Sequence, residues 1–309
     1  MRIIATTPAY PPRSRVGAWI ATHGHLRELT RRGHKVAVRT SQMNDFTPYA
    51  VDKVRVSSLG WDGAKAFKGA DVVLSHLGDH WSRASECARL VNAPHVVMVH
   101  GQVDYATDAD LVVFNSQASA DAAGWTEPPS IICHPHTSIE DHESRRGGAV
   151  TLVNLSQEKG GHVFQQVARA LPHHRFLGVK GNYGSQVRIQ AAENITVREP
   201  QNDMRRVWSQ TRILLMPSIA ETWGMVGVEA MCSGIPVIAH PTPGLRESLG
   251  DAGIFVDRGD VYGWRREIER LDQPHEYDLA SKRARARAEV LCDGSGPKLF
   301  ADTMEEWFG

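Results

Sequence analysis

The sequence predicts an α/β protein of two domains, each a parallel sheet with helices on both faces, and three observations predict it. At 309 residues the chain exceeds one domain of roughly 150 residues. Short β-rich runs alternate with helical patterns almost throughout, as βαβ units require. That alternation lapses once, in the polar stretch SIEDHESRRGGA after His136, and then restarts.

The elements follow in order. The first series reads as strands RIIAT, KVAVR, VRVSS, DVVLSH, HVVMVH, LVVFN and SIICH, each bounded by glycine, proline or small polar residues. Between the first two, Ala18 to Arg32 forms a helix with Ile20, Leu26 and Leu29 on its apolar face. Arg31 and Arg32 suit its last turn, and Gly33 offers a left-handed cap. The polar stretch, ending in two glycines, is the expected interdomain linker. The second series runs through TLVNL, a helix from Gly161 to Leu171 stopped by Pro172, RFLGVKG, NITVRE, a helix from Asp203 to Gln210, ILLMP, IPVIAH and GIFVD. RREIERLD, SKRARARAEVL and FADTMEEWF make the last fifty residues helical. The expected domains are therefore 1–146 and 147–285, each Rossmann-like, followed by a helical tail 286–309.

Composition narrows the function. Lysine plus arginine and aspartate plus glutamate both total 35, which removes the footprint of a general nucleic-acid binder. Cys87, Cys133, Cys232 and Cys292 never fall in C-x-x-C spacing, so reduced thiols in a cytoplasmic chain are expected rather than a zinc knuckle or a disulfide framework. The start at Met1 lacks a signal-peptide pattern, and no stretch approaches the ~20 apolar residues of a membrane span. Membrane contact, if any, is expected to be peripheral.

The stretch with most chemical content is ETWGMVGVEA. ILLMP is a buried strand, SIAE is the loop at its carboxyl end, and a helix is expected to start near Trp223 or Gly224. Open α/β sheets bind ligands at this edge. Gly224 lets a ligand approach the backbone, and the amides of Met225 and Val226 lie where the helix dipole favours an anion such as a diphosphate. Glu221 then stands in the loop, and Glu229 lies about 7.5 Å along the axis inside the helix. An ionised carboxylate accepts hydrogen bonds from neighbouring hydroxyls, so this arrangement suits a nucleotide sugar: one acid for the sugar, one for the ribose diol. The plainer reading is a helix that buries Val226, Val228 and Met231, with Glu229 exposed and Glu221 placed for the dipole.

E-T-W-G-M-V-G-V-E followed by A-M-C-S-G-I-P-V-I-A resembles the E-x7-E donor-site signature of retaining glycosyltransferases of the GT-B superfamily, especially glycosyltransferase family 4. LVNLSQEKGGHVFQQVARALP, VKGNYG, NDMRRVWSQTRILLMPS and PTPGLRESLGDAGIFVD resemble that family's surrounding pattern in the same order, over Val150 to Asp260. The resemblance implies a GT-B fold, two Rossmann-like domains facing a cleft, with the tail packing back on the first. It implies that Glu221 binds donor-sugar hydroxyls, that Gly224, Met225 and Val226 hold sugar or phosphate, and that Glu229 binds ribose. Lys159 would neutralise the departing diphosphate, its plainer reading being a solvated lysine at a turn. Asn154 stands where the family usually places an arginine, leaving the diphosphate to Lys159, the helix start or an arginine elsewhere.

In the first domain RIIATTPAYPPRSRVGAWIATHGHLRELTRRGHKVAV resembles the family's opening strand, glycine loop and helix, with the glycine pair reduced to Gly17. His100 ends a strand where relatives carry a histidine facing the cleft; it would orient the acceptor, or serve as a structural histidine. Ser116 reads as a helix cap. Asp108-Ala109-Asp110 has the D-x-D form of metal-dependent transferases of another fold. His23, His25, His134 and His136 read as turn and surface residues rather than metal ligands. The SKRARARAE run reads as a solvated face. With Arg13, Arg15, Arg27, Arg31 and Arg32 it leaves room for an anionic acceptor or membrane surface.

The reaction the resemblance implies moves a hexose from a UDP- or GDP-sugar to an acceptor hydroxyl with retention and without a metal. No cofactor is expected beyond that nucleoside-diphosphate sugar, which is the donor substrate. The acceptor is open: a glycan, lipid-linked glycan, metabolite, protein or modified DNA. A nucleotide-sugar epimerase or hydrolase on the same frame, or a catalytically weak binding subunit, are the competing readings.

Overall fold

A computed structural model describes residues 1–41, 47–60, 63–76, 81–101 and 108–309. The described chain divides into two compact units, Met1–His136 with Gly294–Gly309, and Thr137–Asp293. The first contains β1 (Arg2–Thr7), α1 (Gly17–Arg31), β2 (Lys35–Thr40), β3 (Tyr49–Val51), β4 (Val54–Ser58), β5 (Val72–His76), α2 (Trp81–Val91), β6 (His95–Val99), β7 (Leu111–Phe114), α3 (Gln117–Ala123) and β8 (Ser130–Ile132). The second contains α4 (Ile139–His142), β9 (Ala149–Val153), α5 (Gly161–Ala170), β10 (Arg175–Val179), β11 (Ile195–Arg198), α6 (Arg205–Trp208), β12 (Thr211–Met216), α7 (Met225–Cys232), β13 (Val237–Ala239), α8 (Pro243–Leu249), β14 (Gly253–Phe255), α9 (Val261–Arg270) and α10 (Pro274–Leu291). Helix α11 (Ser295–Phe308) returns to the first unit.

The first sheet runs β3-β4-β2-β1-β5-β6-β7-β8 and the second β11-β10-β9-β12-β13-β14, so both are the predicted α/β type. Every pairing between these strands is parallel except β3 with β4. Because a strand turns alternate side chains to opposite faces, a sheet covered on both sides needs apolar residues at successive positions. In β1, Ile3 and Ala5 join Leu26, Leu29, Phe300 and Met304, while Ile4 joins Phe67, Val73 and Ala88. In β12, Ile213 and Leu215 pack with Phe164 and Trp264, and Leu214 and Met216 with Met231 and Leu249. The predicted Gly33 cap forms: its φ is +96°, and the His34 amide returns to the Leu29 carbonyl at 3.1 Å.

The expected linker is not one. The first boundary falls at 136/137 rather than 146/147, because α4 and the following residues dock on the second unit: Ser233 Oγ donates to the His142 carbonyl at 2.9 Å and accepts from the Ser144 amide at 2.9 Å. The second boundary falls at 293/294, so α10 stays with the second unit and only α11 packs on the first. Arg32, which caps the end of α1, reaches Asp302 at 2.6 Å and Glu305 at 2.8 Å, and the Phe300 ring lies 5.3 Å from that of His25. The basic run in α10 also differs from a solvated face. Arg285 donates to the Cys232 carbonyl and Arg287 to those of Glu247 and Ser248, while Ala284 and Ala288 are buried.

His25 is likewise no surface residue. It is fully buried and neither ring nitrogen has a partner among the described residues; burial, then the neighbouring His136, lower its pKa from 6.5 to about 3. His95, bonded to Ser75 Oγ at 2.9 Å, is lowered to about 4 by burial against the opposing pull of Asp108 and Asp110. Both are thus neutral when folded and take up protons first in the unfolded chain. Their contribution is complete above pH 6.5 and is lost as pH falls toward about 4 for His95 and about 3 for His25. Each adds a slope of up to ~1.4 kcal/mol per pH unit across its window. Thermal unfolding of the first unit should therefore drop from neutral pH to about pH 5, above the range where carboxylates titrate. A flat Tm over that interval would refute it.

Candidate functional site

Strands β9 and β12 are neighbours in the middle of the second sheet, and the loops at their carboxyl ends carry most of the predicted residues. Beyond β9 the chain turns at Asn154, which adopts a left-handed φ of +68° that asparagine tolerates better than most side chains. Its Oδ1 accepts from the Ser156 amide at 3.1 Å and from Gln186 Nε2 at 2.9 Å. Ser156 Oγ in turn accepts from the Lys159 amide at 3.3 Å. Gly160 follows with φ +89°, and a Cβ there would lie 2.5 Å from Pro217 Cγ, so only glycine lets this turn rest against the β12 loop. Helix α5 then leads away.

The contact across the two loops is an ion pair. Lys159 Nζ lies 2.6 Å from Glu221 Oε1, with the side chains 19% and 12% exposed, and Ser218 Oγ donates to the same oxygen at 2.8 Å. Burial opposes the charge on Lys159, but the charges of Glu221, Tyr183 and Glu158 and the hydrogen bond to Glu221 outweigh it and raise its pKa. Lysine is therefore an ammonium here, poised against a carboxylate.

Helix α7 opens at Met225, with Gly224 in a left-handed conformation (φ +82°) immediately before it. A Cβ at Gly224 would sit 2.5 Å from Leu245 Cδ2, so packing as well as backbone demands glycine. The amides of Met225 and Val226 open the helix, where no earlier helical carbonyl can accept them, and both residues are only half-buried. Glu229 is buried inside α7, 3.8 Å from His142 Nδ1, and not exposed as the plainer reading expected. The second unit thus brings Lys159, Glu221 and the start of α7 into one loop cluster. Ammonium and amides offer hydrogen-bond donors to an anion, and Glu221 offers acceptors to hydroxyls.

Gly17 and His100 lie in the first unit. Gly17 is the exposed first residue of α1, and His100 follows β6. Thr22 Oγ1 lies 3.0 Å from the Ala18 carbonyl, to which it donates, and 3.2 Å from His100 Nε2. The ring stacks on His76 at 5.2 Å, and burial, then His76 and His25, lower its pKa well below the usual value. His100 is a neutral hydrogen-bonding ring.

Other sequence candidates have plainer places. Ser116 Oγ caps α3 by accepting from the Ser119 amide at 3.0 Å. In the D-x-D triplet, Asp108 bonds Ser85 and Arg89, and Asp110 accepts from the His95 amide at 2.7 Å. His23 sits between Tyr10 and Asp52, and His136 bonds Arg27. Sequence reasoning missed Ser218 and Gln186. Ser218 stands inside the quoted loop three residues before Glu221, a spacing that one turn of chain can close, whereas Gln186 carries no motif.

Residues 150–273 match the family model described as glycosyl transferases group 1. A D-inositol 3-phosphate glycosyltransferase from Mycobacterium sp. (strain KMS) is 30% identical over 204 residues, covering 55% of this chain and 46% of the relative. The chain therefore spans about half the length of that relative. HepE of Anabaena, solved with UDP-glucose, superposes with a TM-score of 0.83 at 16% identity over 99% of this chain and 100% of its own. Sucrose-phosphate synthase of Thermosynechococcus elongatus gives 0.79, also at 16% identity, over 99% and 97%. Residues 150–273 of the second unit thus carry the pattern of glycosyl transferases group 1, and the chain shares its fold with these two structures along nearly its whole length.

Proposed function

We propose that the protein transfers a hexose from a UDP- or GDP-sugar to an acceptor hydroxyl, with retention of configuration and without a metal. The observation that carries this reading is the Lys159–Glu221 pair beside the open start of α7. In the proposed step the bond from the anomeric carbon to the phosphate oxygen breaks, and the acceptor oxygen bonds to the same face. The acceptor proton passes to the leaving phosphate. Charge grows on that phosphate, where Lys159 and the Met225 and Val226 amides stabilise it without having to reorganise. Glu221 holds sugar hydroxyls and Glu229 the ribose diol. His100, neutral, would orient the acceptor beside the loop that ends at Gly17. Asn154 contributes by shaping the turn that presents Lys159.

The relatives' names support a nucleotide sugar as donor and leave the acceptor open. A cytoplasmic setting belongs to the proposal, as does peripheral contact with a membrane; among the described residues no helix is long and apolar enough to cross one. A donor-binding chain with little turnover is the second reading. It draws on Asn154, whose amide oxygen is committed to Ser156 and Gln186 where a cation was expected.

Thermal shift against a panel of UDP- and GDP-sugars tests the proposal. The matching donor at a hundred times its Kd should stabilise the fold by ~2.7 kcal/mol. Donor consumption should follow in the same samples. Stabilisation without turnover against a broad acceptor panel would favour the second reading. Indifference to every nucleotide sugar would reject both.

A further inference from the structure

Arg258 lies just beyond β14, far in sequence from the residues that define the site, yet it reaches both of their loops. Its Nε donates to the Pro217 carbonyl at 2.8 Å and its Nη2 to the Gln157 carbonyl at 2.8 Å. Gln157 is two residues before Lys159, and Pro217 is four before Glu221. The backbone amide of Arg258 donates to His240 Nδ1 at 3.0 Å, which ties the main chain at this residue to the loop after β13. Among the described residues the two bridged loops also share a backbone bond, from the Ile219 amide to the Glu158 carbonyl at 2.9 Å, and the Lys159–Glu221 pair itself. Gly160 packs against the same Pro217: a Cβ there would lie 2.7 Å from the Pro217 carbonyl oxygen.

We propose that Arg258 is a positioning residue for sugar transfer, a brace that fixes the spacing between the Lys159 turn and the Glu221 loop. A planar guanidinium donates in two directions at fixed angles from separate nitrogens, whereas an ammonium's donors all radiate from one atom on a flexible stem and hold two separated carbonyls less firmly in register. The brace touches neither donor nor acceptor. It acts by keeping Lys159 where the departing phosphate gains charge, so its loss weakens the transition state more than the ground state.

The inference rests on the proposed transfer reaction for its kinetic part, so the test has a part independent of it. In the full chain without donor, amide hydrogen exchange of 156–161 and 217–221 should quicken in Arg258→Ala and Arg258→Lys, while the β9 and β12 strands keep parental protection. With a donor that the parent turns over, Arg258→Ala should lower kcat by about 10- to 100-fold with KM changed far less. Arg258→Lys should fail to restore it, whereas added methylguanidine should restore part of the Arg258→Ala loss. In a Lys159→Ala background the Arg258 substitution should cost little more, since both act through one ammonium. Unchanged exchange in the two loops overturns the brace whatever the chemistry. So does a parental kcat in Arg258→Lys, or full additivity with Lys159→Ala. Parental inactivity toward all donors sinks the transfer reading alone.

Discussion

Replacing Lys159 with alanine should lower sugar transfer about 10²–10³-fold, the cost typical of removing one preorganised donor from a developing oxyanion. The fall should lie in kcat, since the ammonium matters most once negative charge gathers on the leaving phosphate. Lys159 is suited to this because its pKa is raised from 10.5. A raised lysine pKa makes the folded contribution complete below 10.5 and lost only as pH rises through the higher folded value. The pH–rate profile should therefore show no alkaline limb from Lys159 below about pH 10. Glu221→Ala should be as damaging for another reason: it removes the sugar's acceptor and leaves a largely buried ammonium without its closest anion, costing up to about 3 kcal/mol of stability. Steady-state kinetics of the two variants, with thermal melts alongside, check both statements. Parental rates in either would remove the pair from the mechanism.

The largest effect on stability should come from ending the chain at Asp293. That deletes α11, and with it Phe300, Ala301 and Met304, all fully buried in the first unit's core. Truncating one buried phenylalanine to alanine costs ~3–5 kcal/mol and one methionine ~2–5 kcal/mol. Their joint loss rivals the ~5–15 kcal/mol that holds a typical domain together. The ion pairs from Arg32 and His34 to Glu305 go as well, though exposed pairs add little. The first unit should unfold while the second keeps its own cooperative melt. Limited proteolysis would show this as a protected fragment within Thr137–Asp293. Equal protection of both units would contradict it. Phe300→Ala in the whole chain is the graded version, with only the first unit's transition lowered.

How legible these features were depended on how local their causes are. The parallel strands declare themselves through runs such as ILLMP because both faces are buried. The edge strand β3 does not. Its hairpin turns through Asp52 and Lys53, with φ of +47° and +66°, where glycine or asparagine would have given a signal. α4 was read as linker because one helical turn has no periodicity to detect, and the bonds that dock it run to Ser233, some ninety residues away. At the site, the spacing of Glu221 and Glu229 and the glycine before α7 were visible as pattern. The burial of Glu229 was not, since it follows from packing beside α4. Arg258 was invisible for a stricter reason: it binds main-chain carbonyls, which every residue has, so no partner side chain marks its place.

The division of the first unit around the second has a consequence for the order of assembly. Residues 137–293 are an insertion between two pieces of one core, and synthesis runs from the amino terminus. The second unit is complete when Asp293 leaves the ribosome, while the first still lacks the helix that seals Leu26 and Leu29. The unit begun first is thus the one finished last. In the interval the apolar side of α1 at Leu26 and Leu29 stands uncovered, so the unfinished unit is the one exposed to aggregation while the second is already closed.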